Sequence, residues 1–511
     1  MLSRLLRKNQ DALTVGALML LGGILRFLPG WLAGFPINDG GMFLTMICDL
    51  QANHFVLPSV TSYNFSEIPF AYPPFGFYLT GLLSDLLSVP PIELLRWTPP
   101  IVSVVIIPAF YWISLTLDFS RAKAAIAAAL YALFPSVADW LIMGGGITRS
   151  FGILFLLFSV GFVYKLFRTG GAANLALSIV FCALTILSHP EAGLQVAVLC
   201  LVLWLLYGRT IAGLKHALAL SVGVFLATSI WWLTVLMTHG LAPFLSAMQT
   251  GARERMLESI FHTFFSYQGD LPLLPFLVLI GLVAVIRGRD IFPILWAFIP
   301  FLVDPRNAPS VAIFSLLILA ANGLVFLNNE YIRLTGSGDL RLQKGILQYV
   351  PVAILLAMLS YLFLVSLGAA QRLATYRLTE SQRMTIEWIR QNTPKEGRYL
   401  LITNTGQLAS MLDPYQEWFP ALAQRKSVNT IQGLEWIAGA RFFPYASELI
   451  SLQRCEDAAC LERWLKVEGA HADYYLILKN RASPELLASL RSRLSSVAVF
   501  ESSDAVIFEA P

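Results

Sequence analysis

Eleven apolar stretches, at 12–30, 97–117, 123–137, 150–167, 172–188, 191–208, 213–238, 271–286, 290–303, 308–327 and 346–369, recur along the chain between short polar breaks. Each approaches the roughly 20 residues that an α-helix needs to cross about 30 Å of hydrocarbon. A water-soluble fold has no room for them. With 511 residues, 56% hydrophobic and 13% charged, a single core cannot bury the apolar side chains and still cover its surface with so few charges. The mean hydropathy of +0.65 agrees. The expected fold class is a polytopic α-helical membrane protein of about eleven spans, with the lipid bilayer as its first partner. The net charge of +4 is spread singly or in pairs between apolar runs and gives no case for nucleic acid binding.

Topology follows from two segments and the loop charges. The opening "MLSRLLRKNQ" leads into a long run with no small-x-small cleavage site and many further spans, so it reads as a first transmembrane helix and not as a secretory signal. The segment 73–89, "PPFGFYLTGLLSDLLSV", is apolar enough to count as a span. Thr80, Ser84 and Ser88, with Gly81 and Asp85 beside them, give it one polar helical face, and it is expected to lie flat in the membrane interface. In "MFLTMICDLQAN", 42–53, the polar residues Thr45, Asp49 and Asn53 repeat in the same way.

With both segments flat, Arg4, Arg7, Lys8, Arg121, Lys123, Lys165, Arg168, Arg209, Lys215, Arg287, Arg289, Arg333, Arg341 and Lys344 fall on one side. Only Arg96, Arg149, Arg253, Arg255 and Arg306 fall on the other. Positive charge near span ends is retained in the cytoplasm. The expected protein is therefore a multi-pass plasma-membrane protein with a cytoplasmic N-terminus, and its first outer loop, 35–96, carries two interfacial helices.

This places 370–511 outside the cell as a second domain after a membrane domain of 1–369. Its pattern differs in kind. "SQRMTIEWIRQ" and "SPELLASLRSRL" have helical periodicity, "RYLLIT" and "DYYLILK" read as strands, and "VAVFESSDAVIFEA" as two strands about a turn, which together predict a small α/β domain. Cys455 and Cys460 in "CEDAAC" are spaced for a local disulfide in an oxidising compartment.

The chemistry-bearing residues gather in the outer loops. Asp39 stands in "PINDGG", where the first span ends, and two readings apply: a helix N-cap for the segment that follows, or a reacting carboxylate at the membrane edge. Glu67, Tyr72, Asp139, Arg149, His189, Glu191, His239, His262, Asp304 and Arg306 are predicted on the same face. Arginine and histidine suit an anionic headgroup, and the carboxylates suit proton transfer. "MGGGITRS", 143–150, has the look of a glycine-rich phosphate turn or of a plain flexible loop. "LSHPEAGL" sets His189 and Glu191 two residues apart, and its proline at a span start needs no function.

The first helix ending "LRFLPGWLAGFPINDGG", the large outer loop, the "AYPPFGFYL" opening of its second helix and the terminal outer domain resemble the GT-C superfamily of membrane glycosyltransferases. Within it they are most similar to the dolichyl-phosphate-mannose–protein mannosyltransferase and aminoarabinose transferase branch. The resemblance implies transfer of a sugar from a polyprenyl-phosphate-linked donor to a lipid, glycan or protein acceptor at the outer membrane face. It makes Asp39 the catalytic residue; from the outer-face residues themselves, Arg149, His189 and Tyr72 are the candidates for the donor phosphate, and Glu67, Asp139 or Glu191 for a supporting carboxylate.

The chain departs from that pattern at three places. Gly40 follows Asp39 where relatives often carry a second acid, Tyr72 stands before Pro73–Pro74 where aminoarabinose transferases carry lysine, and "ITRSFG" keeps Arg149 without a neighbouring acid. A divalent cation usually takes two or more oxygen ligands from the protein. One carboxylate stands out here, so a cation requirement stays open. A noncatalytic cell-envelope glycan assembly protein would keep the scaffold without needing Asp39. A lipid-linked saccharide transporter would be expected to pair helix-breaking or ionisable residues in two repeated halves, and no such repeat is evident in the sequence.

Overall fold

The computed structural model describes residues 2–135, 137–251, 256–263, 273–288, 290–336, 349–404, 413–493 and 498–510. A helix occupies each of the eleven apolar stretches: Leu2–Ala33, Pro91–Thr116, Arg121–Leu133, Gly146–Thr169, Ala172–Ser188, Pro190–Tyr207, Ile211–His239, Leu273–Gly288, Phe292–Val303, Ala308–Gly336 and Val350–Leu373. Seven are long and apolar enough to cross a membrane, and the shorter ones pack among them. The chain is a multi-pass membrane protein. The starts of two stretches, 271–272 and 346–348, lie outside the described residues, as do Arg253, Arg255, Arg289, Arg341 and Lys344.

Small residues set the closest helix packing. A Cβ on Gly281 would lie 1.8 Å from the Leu319 carbonyl oxygen, and one on Gly323 would lie 2.3 Å from that of Leu277. Helices in lipid gain by such backbone approach, because apolar side chains find no hydrophobic advantage over the acyl chains around them. At one end of the bundle Arg121 pairs with Asp11 at 2.8 Å and Arg168 with Asp118 at 3.8 Å. At the other end Arg96 Nε donates to Gly30 O at 3.0 Å, Arg377 Nη1 donates to Ala33 O at 2.9 Å, and Asn38 N donates to Tyr376 O at 2.8 Å. The exits of the first and last spans therefore meet.

The first loop holds two short helices, Gly41–Ala52 and Phe75–Leu87. At 1.5 Å per residue they reach only about 18–20 Å, too little to cross. Asp49 faces outward on the first and accepts from Thr61 Oγ1 at 2.7 Å and from Ser62 Oγ at 2.6 Å, pinning the loop beyond. The polar stripe of the second departs from expectation. Thr80 and Ser84 are buried against the protein, while Leu82, Leu86 and Leu87 are exposed. The hydroxyls bond Gly76 O and Val89 O, so burial leaves them satisfied, and their small size admits the neighbouring helices.

Beyond Leu373 the chain builds a five-stranded sheet in the order Lys426–Ser427, Arg398–Ile402, Tyr474–Leu478, Ala505–Glu509, Phe500–Glu501. The first three are parallel and the last two antiparallel to their neighbours. Both faces are covered, and alternate residues show how. Leu401, Leu476 and Ile507 join the core that includes Ile386, Trp418 and the membrane helices. Leu400, Ile477 and Val506 join Leu449, Leu461 and Leu486 of three outer helices. Cys455, in the loop before the helix Ala458–Glu468, forms a disulfide with Cys460 in that helix's first turn.

Candidate active site

Asp39 lies in the turn between the first span and the helix Gly41–Ala52. Its Oδ1 accepts a hydrogen bond of 2.8 Å from Gly145 N, and Gly144 N donates to Ile37 O at 2.9 Å. The fit excludes side chains: a Cβ on Gly144 would stand 1.9 Å from Asp39 O, and one on Gly145 would stand 2.3 Å from Asp39 Oδ2. The glycine run is thus a seat for the protein's own carboxylate, since the Gly145 N–H that a phosphate turn would offer is spent on Asp39.

The N-cap reading of Asp39 is overturned. Glu417, from the helix Pro414–Ala423 of the C-terminal region, takes that role: its Oε1 accepts from Gly40 N and Met42 N, both at 3.2 Å. Trp418 Nε1 donates to Asn38 O at 2.9 Å, and Tyr63 Oη donates to Glu417 O at 2.7 Å. Gly41 allows this contact, because a Cβ there would meet Glu417 O at 2.3 Å. Asp39, freed from capping, keeps partial exposure. Burial of the loop raises its carboxyl above the ordinary range, and the Arg149 charge and the Gly145 bond pull it partly back. Glu417 is pushed up to about 8, first by burial and then by the Asp39 charge, against the two N–H bonds.

A second group stands beside it. Tyr72 Oη lies 3.4 Å from Thr148 Oγ1, and its ring meets Phe43 at 5.0 Å, Trp436 at 5.8 Å and His189 at 6.4 Å. His189 Nδ1 lies 3.1 Å from Glu191 Oε2, an ion-pair distance that lacks hydrogen-bond geometry. Burial drives the imidazole down to about 4, so it is neutral near pH 7, with Glu191 opposing the shift and Arg149 and Arg306 adding to it. Arg149 stacks on Trp140, 5.2 Å from the ring centroid, and donates from Nη1 to Trp140 O at 3.1 Å. Among the described residues it has no carboxylate partner, yet its charge is felt at Asp39, Tyr72 and His189.

The predicted residues therefore divide. Asp39, Tyr72, Arg149, His189 and Glu191 come together as one group. Glu67 does not join them: it is exposed on the loop after Phe65, with φ 51°. Asp139 opens a short helix and lines a separate small cavity with Arg26 and Ser366. Two carboxylates escaped the sequence reading, Glu417 and Glu435. Glu435 is raised to about 7 by burial, with Arg306 lowering it and Glu191 raising it. Each precedes a tryptophan that packs on an aromatic ring, Trp418 on Phe35 and Trp436 on Tyr72, but the Glu-Trp pair recurs at Glu387–Trp388 outside this group and so gave no specific signal. Among the described residues no group of three or more His, Cys, Asp or Glu side chains is arranged to hold a metal ion.

No protein-family model matches the chain, and no curated protein matches it in sequence. Solved structures do. The oligosaccharyltransferase of Archaeoglobus fulgidus superposes with a TM-score of 0.57 at 14% identity, over 92% of this chain and 69% of that one. ArnT from Cupriavidus metallidurans, bound to undecaprenyl phosphate, gives 0.54 at 15% identity over 98% and 97%. The mycobacterial arabinofuranosyltransferase AftD gives 0.50 at 16% identity, over 98% of this chain and 40% of that longer one. The chain shares its overall fold with these three solved structures.

Proposed function

We propose that the protein is a glycosyltransferase that moves a sugar from a polyprenyl-phosphate-linked donor to an acceptor at the outer face of the plasma membrane. In this reading 1–369 is the catalytic membrane domain and 370–511 an extracytoplasmic domain that closes over it. The observation that carries it is Asp39: a carboxylate relieved of helix capping, seated on the glycine run, raised by burial and set within the field of Arg149. The fold adds support, since a solved structure of the archaeal enzyme holds a dolichol-phosphate and that of ArnT an undecaprenyl phosphate.

Asp39 accepts the proton of the acceptor nucleophile as its lone pair forms the bond to the anomeric carbon. The bond from that carbon to the phosphate oxygen breaks, and the electron pair leaves with the polyprenyl phosphate, whose charge Arg149 meets. A base works best when its pKa approaches the operating pH, which the burial of Asp39 favours. Neutral His189 and the Tyr72 hydroxyl offer hydrogen bonds to the phosphate. General-base assistance contributes about 10²–10⁴-fold.

The test uses membranes carrying wild type or Asp39→Asn, supplied with radiolabelled polyprenyl-phosphate sugars. Consumption of one donor by wild type, lost in an equally folded Asp39→Asn, is the expected result. Equal consumption by both would remove Asp39 from catalysis, and none by either would favour an assembly or transport role.

A further inference from the structure

A cavity of about 1270 Å³ opens on the side of the Gly41–Ala52 helix away from Tyr72. That helix turns Phe43 toward Tyr72 and the catalytic residues, whereas Leu44, Thr45 and Cys48 line the cavity. The opposite wall is the helix Glu380–Asn392 with the turn and strand edge that follow it. That helix and Trp418 stand between the cavity and the Asp39 group, so this cavity is distinct from the site proposed for the donor.

Its walls combine two characters. Phe35, Leu44, Phe65, Met384 and Leu422 are apolar, and Phe65 and Met384 are left exposed at 53% and 63%. Six cations, Arg383, Arg390, Lys395, Arg398, Arg425 and Lys426, face three carboxylates, Glu380, Glu387 and Glu396. Arg390 and Arg398 have acidic partners, and buried Arg425 spends its donors on Thr393 Oγ1 and on backbone carbonyls. Arg383, Lys395 and Lys426 have no carboxylate partner among the described residues. Arg383 lies over the Phe35 ring at 5.2 Å, and its Nε is buried without a hydrogen-bond acceptor.

The position is at the lipid boundary. Phe35 follows the end of the first span by two residues, and Arg383 follows the last span by ten, at the point where Arg377 and Tyr376 tie the two exits together. A soluble anion has no use for the apolar flank, and a neutral lipid has none for the cations. We infer that this cavity binds the headgroup of an anionic glycerophospholipid, with the phosphate among Arg383, Lys395 and Lys426 and the acyl chains running past Phe35 and Met384 into the bilayer. The bound lipid holds the C-terminal region against the membrane.

The test is native mass spectrometry of the full-length protein in nonionic detergent, titrated with phosphatidylglycerol or phosphatidylcholine. Phosphatidylglycerol is expected to bind selectively. The triple variant Arg383→Gln, Lys395→Gln, Lys426→Gln is expected to bind it on the order of 100-fold more weakly, given the worth of each basic side chain near an anionic surface. Thr45→Trp, which fills the cavity and leaves its charges unchanged, is expected to lose the lipid as well. Arg149→Ala is expected to keep it. Equal retention of phosphatidylcholine, wild-type binding by the triple and Thr45→Trp variants, loss in Arg149→Ala, or full displacement by millimolar inorganic phosphate would each overturn the assignment.

Discussion

Asp39 and Gly145 stand 106 residues apart in the chain and are joined by a 2.8 Å hydrogen bond from the Gly145 amide to the Asp39 carboxylate. The bond requires a residue without a side chain at 145, because a Cβ would lie 2.3 Å from Asp39 Oδ2. Gly145→Ala is therefore expected to displace Asp39 and to cut donor consumption by about 10²-fold or more, as loss of a positioned base does. Kinetics alongside a melting curve check this, and an Ala variant with full activity would show that the contact is incidental.

Arg149 acts on two groups at once. Arg149→Ala is expected to slow donor consumption by about 10²–10³-fold through loss of charge stabilisation at the leaving phosphate. Arg149→Lys should recover part of that. The Arg149 charge also lowers the Asp39 carboxyl, so its removal moves the acid limb of the pH–rate profile upward. An unmoved limb would mean that Asp39 is not the titrating base.

Glu417 links stability to pH. Its carboxyl is raised to about 8 in the fold, so the folded protein holds this proton more tightly than the unfolded chain. The stabilisation is present in full below the ordinary glutamate range and is lost as pH rises through about 8. Glu417→Gln keeps an acceptor for Gly40 and Met42 and is expected to flatten that decline. Glu417→Ala leaves both amides uncapped and should cost about 0.5–2 kcal/mol. Melting temperatures between pH 5 and 9 distinguish the three proteins.

His189 has the opposite sign. Its folded value of about 4 lies below the ordinary histidine range, so its contribution is complete above that range and is lost as pH falls toward 4. His189→Gln is expected to reduce the loss of stability between pH 6.5 and 4 relative to wild type, read as the difference between the two melting profiles.

The membrane helices and the sheet were legible because their signals are local. The short continuous apolar runs in "RYLLI" and "YYLIL" became adjacent parallel strands, buried on both faces, and each apolar stretch became a helix. Asp39 was legible from its place after a span and beside glycines. Glu417 was not, since the Asp413–Pro414 start of its helix announces a cap and says nothing of backbone groups hundreds of residues away. The Thr80 and Ser84 stripe shows the limit from another side. A hydroxyl bonded to a nearby backbone carbonyl, as Thr80 is to Gly76 O and Ser84 to Val89 O, is as content buried as exposed, so the same pattern serves either face.

The grip of Glu417 and Trp418 on the Asn38–Met42 turn sets an order on biogenesis. The turn is synthesised about 375 residues before the carboxylate that caps it. Until that carboxylate is made, the nascent chain carries Asp39 on an unfinished loop. On the proposed function, a chain stalled before residue 413 is expected to insert its bundle and transfer no sugar, so the C-terminal region would double as a completion check.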